Sequence, residues 1–328
     1  MSVLMLTYNH EKFIRQALDS ILKQKVNFNY EIVIGDDAST DNTQKILKEY
    51  YKRHPDRIKL LLRKKNIGVT KNFYTVLKHL RGKYIAYLEG DDYWCDFQKL
   101  QKQFEFLESH PGFSGCMHNY TIINQEGLII KESGYQCTDY NLQPYIFRNN
   151  VCTLKDYEVT MGIPSHASTL MFHNFMLDTT VDYRYFYKVN DKIADQTLFI
   201  TILSKGDLYR LDDNMSTYRL IEENGKCNIS SQLKQKNSRA AHYKYQLNLE
   251  RYCKKHLSLY LDMSKYKKNL YVGAICTFIE NKTIKNMNVL LKIIMMSDSL
   301  IDYVVLLIKV IFIKSYNKRM GKVIRIVI

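Results

Sequence analysis

The chain of 328 residues is long enough for one large domain or two small ones, and 46% hydrophobic content supplies a real core, which excludes a disordered chain. Seven scattered cysteines, with no CxxC and no metal-type Cys/His spacing, exclude a zinc ribbon and read as reduced thiols of a cytosolic protein. The net charge of +15 sits at one end: residues 1–225 hold 28 Lys+Arg against 28 Asp+Glu, and residues 226–328 hold 20 against 5. A strand-like run begins at Val3 with no basic stretch before it, so no secretory signal is expected.

Val3 to Thr7 is a short continuous apolar run, as in a strand covered on both faces. Phe13, Ile14, Ala17, Leu18, Ile21 and Leu22 then share one helical face. Glu31 to Gly35 is a second strand, followed by the polar turn Asp36-Asp37-Ala38-Ser39-Thr40-Asp41-Asn42, rich in helix-capping side chains. The next helix buries Ile46, Leu47, Tyr50 and Tyr51. Ile58 to Leu62 is a third strand, Asn66-Ile67-Gly68 a turn, and Phe73, Val76, Leu77 and Leu80 the inner face of a third helix. Tyr84 to Leu88 is a fourth strand and Phe97 to Glu108 a helix. Strands alternating with helices of this length predict an α/β fold on a mostly parallel, Rossmann-like sheet.

Past residue 113 the pattern loosens. Gly127 to Ile130 and Ser168 to Phe172 read as short strands, and Phe186 to Ser204 as a loop and a helix with Asp195 near its start. Beyond Gln232 the chain is helical and basic. In Val289 to Ile328 the longest uncharged run is Tyr303 to Ile308, far short of the ~20 residues of a membrane span. Lys309, Lys314, Lys318, Arg319, Lys322 and Arg325 punctuate it, a pattern that fits an amphipathic segment lying in a membrane surface. The competing reading is a helix pair packed on the domain or on a second subunit. The domain expectation is 1–225 for an α/β domain, divided at 112, and 226–328 for a basic helical tail.

Two acidic pairs, Asp36-Asp37 and Asp91-Asp92, each follow a strand. The carboxyl edge of an open α/β sheet is where ligands bind. Adjacent carboxylates repel, and a hard divalent cation that also holds phosphate reconciles them. Asp36 reads as a turn holder through local hydrogen bonds.

Thr7-Tyr8-Asn9, Asp36-Asp37-Ala38-Ser39-Thr40-Asp41, Asn66-Ile67-Gly68 and Glu89-Gly90-Asp91-Asp92 occur in this order after successive strands. The set resembles the family 2 glycosyltransferases with the GT-A fold, over about residues 1–120 and more loosely over 155–220. The stretch from Asp91 to Pro111 resembles members that build bacterial surface polysaccharides. The resemblance implies a nucleoside-diphosphate-sugar donor, UDP above all, and an inverting transfer to a lipid-linked or growing glycan. It implies that Thr7, Tyr8 and Asn9 line the nucleotide pocket and that Asp37 accepts from the base. It also implies that Lys71 and Asn72 meet base or phosphates, that Asp91 sits by the ribose, and that Asp92 ligates Mn²⁺ or Mg²⁺.

A base is needed to deprotonate the acceptor hydroxyl. In the resemblance Asp195 holds that position, with Ala194 where the family has a glutamate and Asp191 as the nearest competitor. Helix capping is the bland alternative for Thr7, Asn9 and Asp195. His166, in Ile163-Pro164-Ser165-His166-Ala167-Ser168, lies where the family meets its acceptor and would bind hydroxyls or phosphate. Tyr93 and Trp94 fit packing and a sugar platform equally. Tyr218-Arg219 resembles the pair after the family's last strand, but the following residues lack its His and Gly-Gly. The expected setting is cytoplasmic, peripheral at the inner membrane face, with an oligomer left open. The alternative function is a non-catalytic nucleotide-sugar-binding module. Nucleic acid is excluded as a partner, since the 26 tyrosines form no stacking motif and the basic part no nucleic-acid fold.

Overall fold

The computed structural model describes residues 1–131, 148–160, 165–192, 194–223, 226–227, 239–297 and 303–310. Ile163, Pro164, Ile193, Asn224, Gly225 and the cations Lys314, Lys318, Arg319, Lys322 and Arg325 lie outside them. The chain forms two compact units, Met1–Lys226 and Cys227–Ile328.

In the first unit the strands are β1 (Ser2–Thr7), β2 (Glu31–Asp36), β3 (Ile58–Leu62), β4 (Tyr84–Glu89), β5 (Tyr93–Trp94), β6 (Phe113–Ile123), β7 (Ile129–Lys131), β8 (Val151–Cys152), β9 (Met171–His173) and β10 (Asp207–Arg219). The helices are α1 (Ile14–Leu22), α2 (Thr43–Arg53), α3 (Val69–Leu77), α4 (Lys99–Ser109), α5 (Leu154–Thr160) and α6 (Asp195–Leu203). One sheet runs β3-β2-β1-β4-β9-β6-β10-β5, with β7 on β6 and β8 on β10. Its first four strands are parallel. From β9 onward antiparallel pairs enter, so the sheet is parallel in its first half and mixed in its second.

The parallel half follows from its sequence. Val3, Leu4 and Met5 are wholly buried, as a strand covered on both faces requires. Ile14, Ala17, Leu18 and Ile21 seal one face, and Ile46, Leu47 and Tyr50 do the same from α2. Each such side chain contributes about 1.5–3 kcal/mol through burial. Tyr51, expected inside, is exposed, because its neighbour Tyr50 takes the inward turn of α2 and donates its hydroxyl to Asp19 at 2.6 Å. Gly35 lets α3 lie close on β2: an added Cβ would fall 2.4 Å from Val76 Cγ2 and 2.8 Å from Asn72 Oδ1.

The second half departs from its sequence reading in instructive places. Ser168 to Phe172 is a tight 3-10 turn at Ala167–Thr169 followed by β9, not one strand. β10 is long yet carries Asp212-Asp213-Asn214 in its middle, where its pairing with β6 slips. Trp94 is core: its Nε1 donates to the Ser168 carbonyl at 2.9 Å.

In the second unit, helices at Arg239–His256, Ser264–Glu280 and Ile284–Met296 and a short helix over 303–310 surround Tyr271, Ile275, Leu290, Ile293, Leu306 and Val310. Tyr271 OH donates to the Tyr303 carbonyl at 2.8 Å, and Lys267 pairs with Glu250 at 2.7 Å. Among the described residues no helix is long and apolar enough to cross a membrane.

Lys99 is the outlier of the first core. It is wholly buried, its Nζ lacks a hydrogen-bond partner, and it lies 3.9 Å from the centroid of the Trp94 ring. Burial pulls its ammonium from 10.5 down to about 7. Between those values the unfolded chain holds a proton that the folded chain has released, so stability rises with pH across that window. Lys99→Met, which keeps the stem, should flatten the rise, a difference on the order of a few kcal/mol between about pH 7 and 10. Urea melts at both ends of the range check it; an unchanged slope in the variant would assign the dependence elsewhere.

Candidate active site

The parallel register sets the ends of three strands level: Thr7 pairs with Asp36, and Leu6 with Glu89. Thr7, Asp37 and the Glu89-Gly90-Asp91-Asp92 turn therefore share the carboxyl edge of the sheet, the place where α/β sheets bind ligands. Gly90 permits this crowding, since a Cβ there would lie 2.8 Å from His10 Nδ1 and 3.0 Å from the Leu6 carbonyl oxygen.

The nucleotide-pocket candidates divide into open groups and struts. The Thr7 Oγ1 is buried with no hydrogen-bond partner, and Tyr8 is 45% exposed. Lys71 is exposed in the first turn of α3. Asn9 is left-handed (φ 58°), and its Oδ1 accepts the Thr40 N–H at 2.8 Å, tying the first turn to the second. Asp37 spends both oxygens on the next turn, accepting from Ile67 N at 2.8 Å and Gly68 N at 2.9 Å. Asp36 accepts from Ser39 N, Ser39 Oγ and Gln44 Nε2, a turn holder as expected. Asn72 is 1% exposed and its Nδ2 donates to the Gly35 carbonyl at 2.9 Å, so it fastens α3 to β2.

The acid cluster is held from three sides. Asp92 is fully buried; its Oδ2 accepts from Ser168 Oγ at 2.6 Å and its Oδ1 from the Arg219 backbone N–H at 2.8 Å. Arg219 also donates Nε to the Asp91 carbonyl at 2.9 Å and Nη2 to Gln16 at 2.9 Å, with its guanidinium 4.6 Å from the centroid of the Phe13 ring. The Asp91 carboxylate lies 3.9 Å from His10 Nε2. Tyr87 OH donates to Glu89 at 3.1 Å.

His166 packs 4.3 Å, centroid to centroid, from Tyr218. Its Nδ1 accepts the Ser168 N–H at 3.3 Å and so carries no proton, yet it lies 3.4 Å from Asp92 Oδ2. Two acceptors facing each other are relieved by a proton or a cation between them. Its Nε2 is 3.9 Å from Glu89 Oε2. One ligand atom each from Glu89, Asp92 and His166 lies within 4.8 Å of the others. Two carboxylates and an imidazole suit a hard or borderline divalent cation such as Mn²⁺ or Mg²⁺, and the set fits one.

Burial raises Asp92 well above the ordinary carboxylate range, helped by Asp91 and opposed by Ser168 and Arg219. Burial raises Glu89 likewise, with Asp91, Asp92 and Asp195 adding their charges. Burial draws His166 down to about 4. Asp195 stands in the first turn of α6, with Ala194 as the N-cap and no side-chain cap bond, so it is not the cap. Its charge reaches Glu89 and Tyr87, and burial raises its own carboxyl to about 6. Asp191 is exposed.

Glu89, Ser168 and the Arg219 backbone were not assigned roles from sequence. Glu89 stood inside the quoted motif, Ser168 two residues past His166 and Arg219 beside Tyr218, but only the fold closes them around Asp92.

Residues 2–170 match the model of glycosyl transferase family 2, and the chain belongs to that family. It is 34% identical over 224 residues to an uncharacterized protein of Mycobacterium tuberculosis, covering 67% of this chain and 58% of that one. It is 34% identical over 140 residues to the UDP-Glc:alpha-D-GlcNAc-diphosphoundecaprenol beta-1,3-glucosyltransferase WfgD of Escherichia coli, covering 43% and 53%. The chain thus spans little more than half the length of these relatives. Its fold is similar to that of S. aureus TarS 1-349 in complex with UDP-GlcNAc, with a TM-score of 0.60 at 17% identity, covering 89% of this chain and 79% of that one. The GT-A fold and a family 2 glycosyltransferase domain follow.

Asn72→Ala should cost about 2 kcal/mol of stability through the lost buried hydrogen bond and leave nucleotide affinity within about two-fold. Lys71→Ala should do the reverse. Thermal melts paired with nucleotide titration check both, and an Asn72 variant that folds as well as wild type yet binds poorly would return that residue to the pocket.

Proposed function

We propose that this glycosyltransferase moves a sugar from a nucleoside diphosphate, UDP in the first instance, to a hydroxyl of a lipid-linked or growing glycan in bacterial surface polysaccharide synthesis, with inversion. The observation that carries the reading is the acid cluster at the end of β4, where Glu89, Asp92 and His166 offer ligand atoms within 4.8 Å of one another, with Asp195 near enough for its charge to act on Glu89. The printed name of the E. coli relative, a UDP-glucose donor and a lipid-diphosphate-linked acceptor, supports the substrate classes.

Residues 1–112 form the donor half and 113–225 the acceptor half. The exposed ring of Tyr8 stacks on the base, the free Thr7 hydroxyl meets the nucleotide, and Lys71 approaches base or phosphate. Asp37 keeps lone pairs beyond the two its turn uses, and these accept the base imide. Asn9 is exposed and lines the same pocket while its Oδ1 holds the Thr40 N–H. Asp91 lies beside the ribose. Glu89, Asp92 and His166 would hold Mn²⁺ or Mg²⁺, which when bound would offset the negative charge developing on the leaving diphosphate. Asp195 takes the acceptor proton as the hydroxyl oxygen bonds to the anomeric carbon and the carbon–phosphate-oxygen bond breaks. Attack opposite the leaving group inverts that carbon. A carboxyl near 6 is ionised at neutral pH and more basic than an ordinary aspartate, which suits a general base. The setting is cytoplasmic, with the tail 226–328 peripheral at the inner membrane face.

Asp195→Asn should keep donor affinity and lower kcat by at least about 10²-fold. In wild type, kcat/KM should fall as pH drops through about 6, because protonation removes the base. A fully active Asn variant with the same acid limb would pass the role to Asp191.

Calorimetric titration of UDP with Mn²⁺ and with EDTA tests the donor site. Affinity should depend on metal in wild type and be lost in Asp92→Ala, with His166→Ala weakening it by about ten-fold or more. No binding of UDP, GDP or dTDP under any condition would leave a GT-A domain without the proposed donor.

A further inference from the structure

The helix Ile284–Met296 has two apolar faces. Asn286, Leu290 and Ile293 are buried against the second unit's core. Ile284, Met287, Leu291 and Met295 are exposed, Ile284 by 75% and Met295 by 85%. At roughly 100° per residue these four lie within about 80° of arc, centred about 130° around the helix from the buried set. A surface helix needs only one apolar face for its core. The helix over 303–310 repeats the arrangement: Leu306 and Val310 are buried, while Val304, Val305 and Ile308 are exposed. Exposed Lys285 and Lys292 share one shoulder of the first stripe, and exposed Lys309 flanks the second.

We infer that these two stripes insert into the interface of an anionic lipid bilayer, with Lys285, Lys292 and Lys309 contacting the headgroups. This rests on the membrane association proposed above and names the residues that make it. Charge decides the occupant. The tail carries 20 Lys+Arg against 5 Asp+Glu. In a symmetric pairing the same patch of each copy meets its twin, which sets these lysines near their own counterparts. An anionic lipid surface offers apolar depth for the stripe and opposite charge for its rim. Among the described residues no helix is long and apolar enough to span the bilayer, and an in-plane helix requires no such length.

The test is co-sedimentation of the full chain with vesicles of phosphatidylcholine alone and of phosphatidylcholine mixed with phosphatidylglycerol. Wild type should prefer the anionic vesicles and bind less in high salt. Leu291→Asp with Met295→Asp should weaken binding at least about ten-fold. Lys285→Glu with Lys292→Glu should weaken it on anionic vesicles only. Both variants should keep the UDP affinity of wild type, since the substitutions lie in the other unit. Vesicle binding by the Asp pair equal to wild type would overturn the inference, as would a wild-type dimer in light scattering that the Asp pair splits. Vesicle binding without UDP binding would sink the donor reading and leave the lipid surface standing.

Discussion

The site depends on one buried carboxylate. Asp92 lies at the end of a parallel strand, its Oδ2 met by Ser168 from a 3-10 turn and its Oδ1 by the backbone of Arg219 from the end of β10. An ionised carboxylate sealed from water costs several kcal/mol unless its lone pairs are used. Here the partners come from segments some 76 and 127 residues away in the chain. The requirement to satisfy Asp92 therefore joins the first half of the domain to the second. Arg219 extends the joint, because its guanidinium also holds the Asp91 carbonyl and the loop carbonyls of Asn124 and Gln125.

This explains what was legible in the chain and what was not. Strands β1 to β4 and helices α1 to α3 are written in local periodicity, because each is covered by its own neighbours in sequence. The acid turns were legible for the same reason: an apolar run ending in Gly-Asp-Asp is a local signal. Ser168 was not, since its hydroxyl matters only through a carboxylate far upstream. Asn72 opens a helix, where anion contact is expected, and tertiary packing against Gly35 turns its amide inward. Trp94 could serve core or ligand by type alone, and the donor hydrogen of its indole settled on a buried carbonyl. β10 was hidden by the three polar residues of its irregular middle. The lower legibility of the second half is thus a matter of contact distance along the chain.

Crowding four acids at one edge sets the electrostatics of the pocket. Glu89, Asp91, Asp92 and Asp195 act on one another, and burial strengthens the action by removing water. Such a pocket is hostile to a diphosphate by charge alone, and the facing acceptors of His166 and Asp92 are hostile to each other. In the proposed function a single divalent cation would resolve both conflicts, drawing the acids together and presenting a positive face to phosphate.

Asp195 obeys a different constraint. Its carboxyl is raised by burial. A lysine or arginine beside it would hold the proton affinity low and blunt it as a base. The distribution of charge along the chain respects this: the catalytic unit is neutral overall, and the excess of cations is carried by a second unit with its own core. In the proposed function, attraction to an anionic surface and basicity at the reacting hydroxyl ask opposite things of nearby charge, and carrying them in separately packed parts of one chain would let each be tuned without cost to the other.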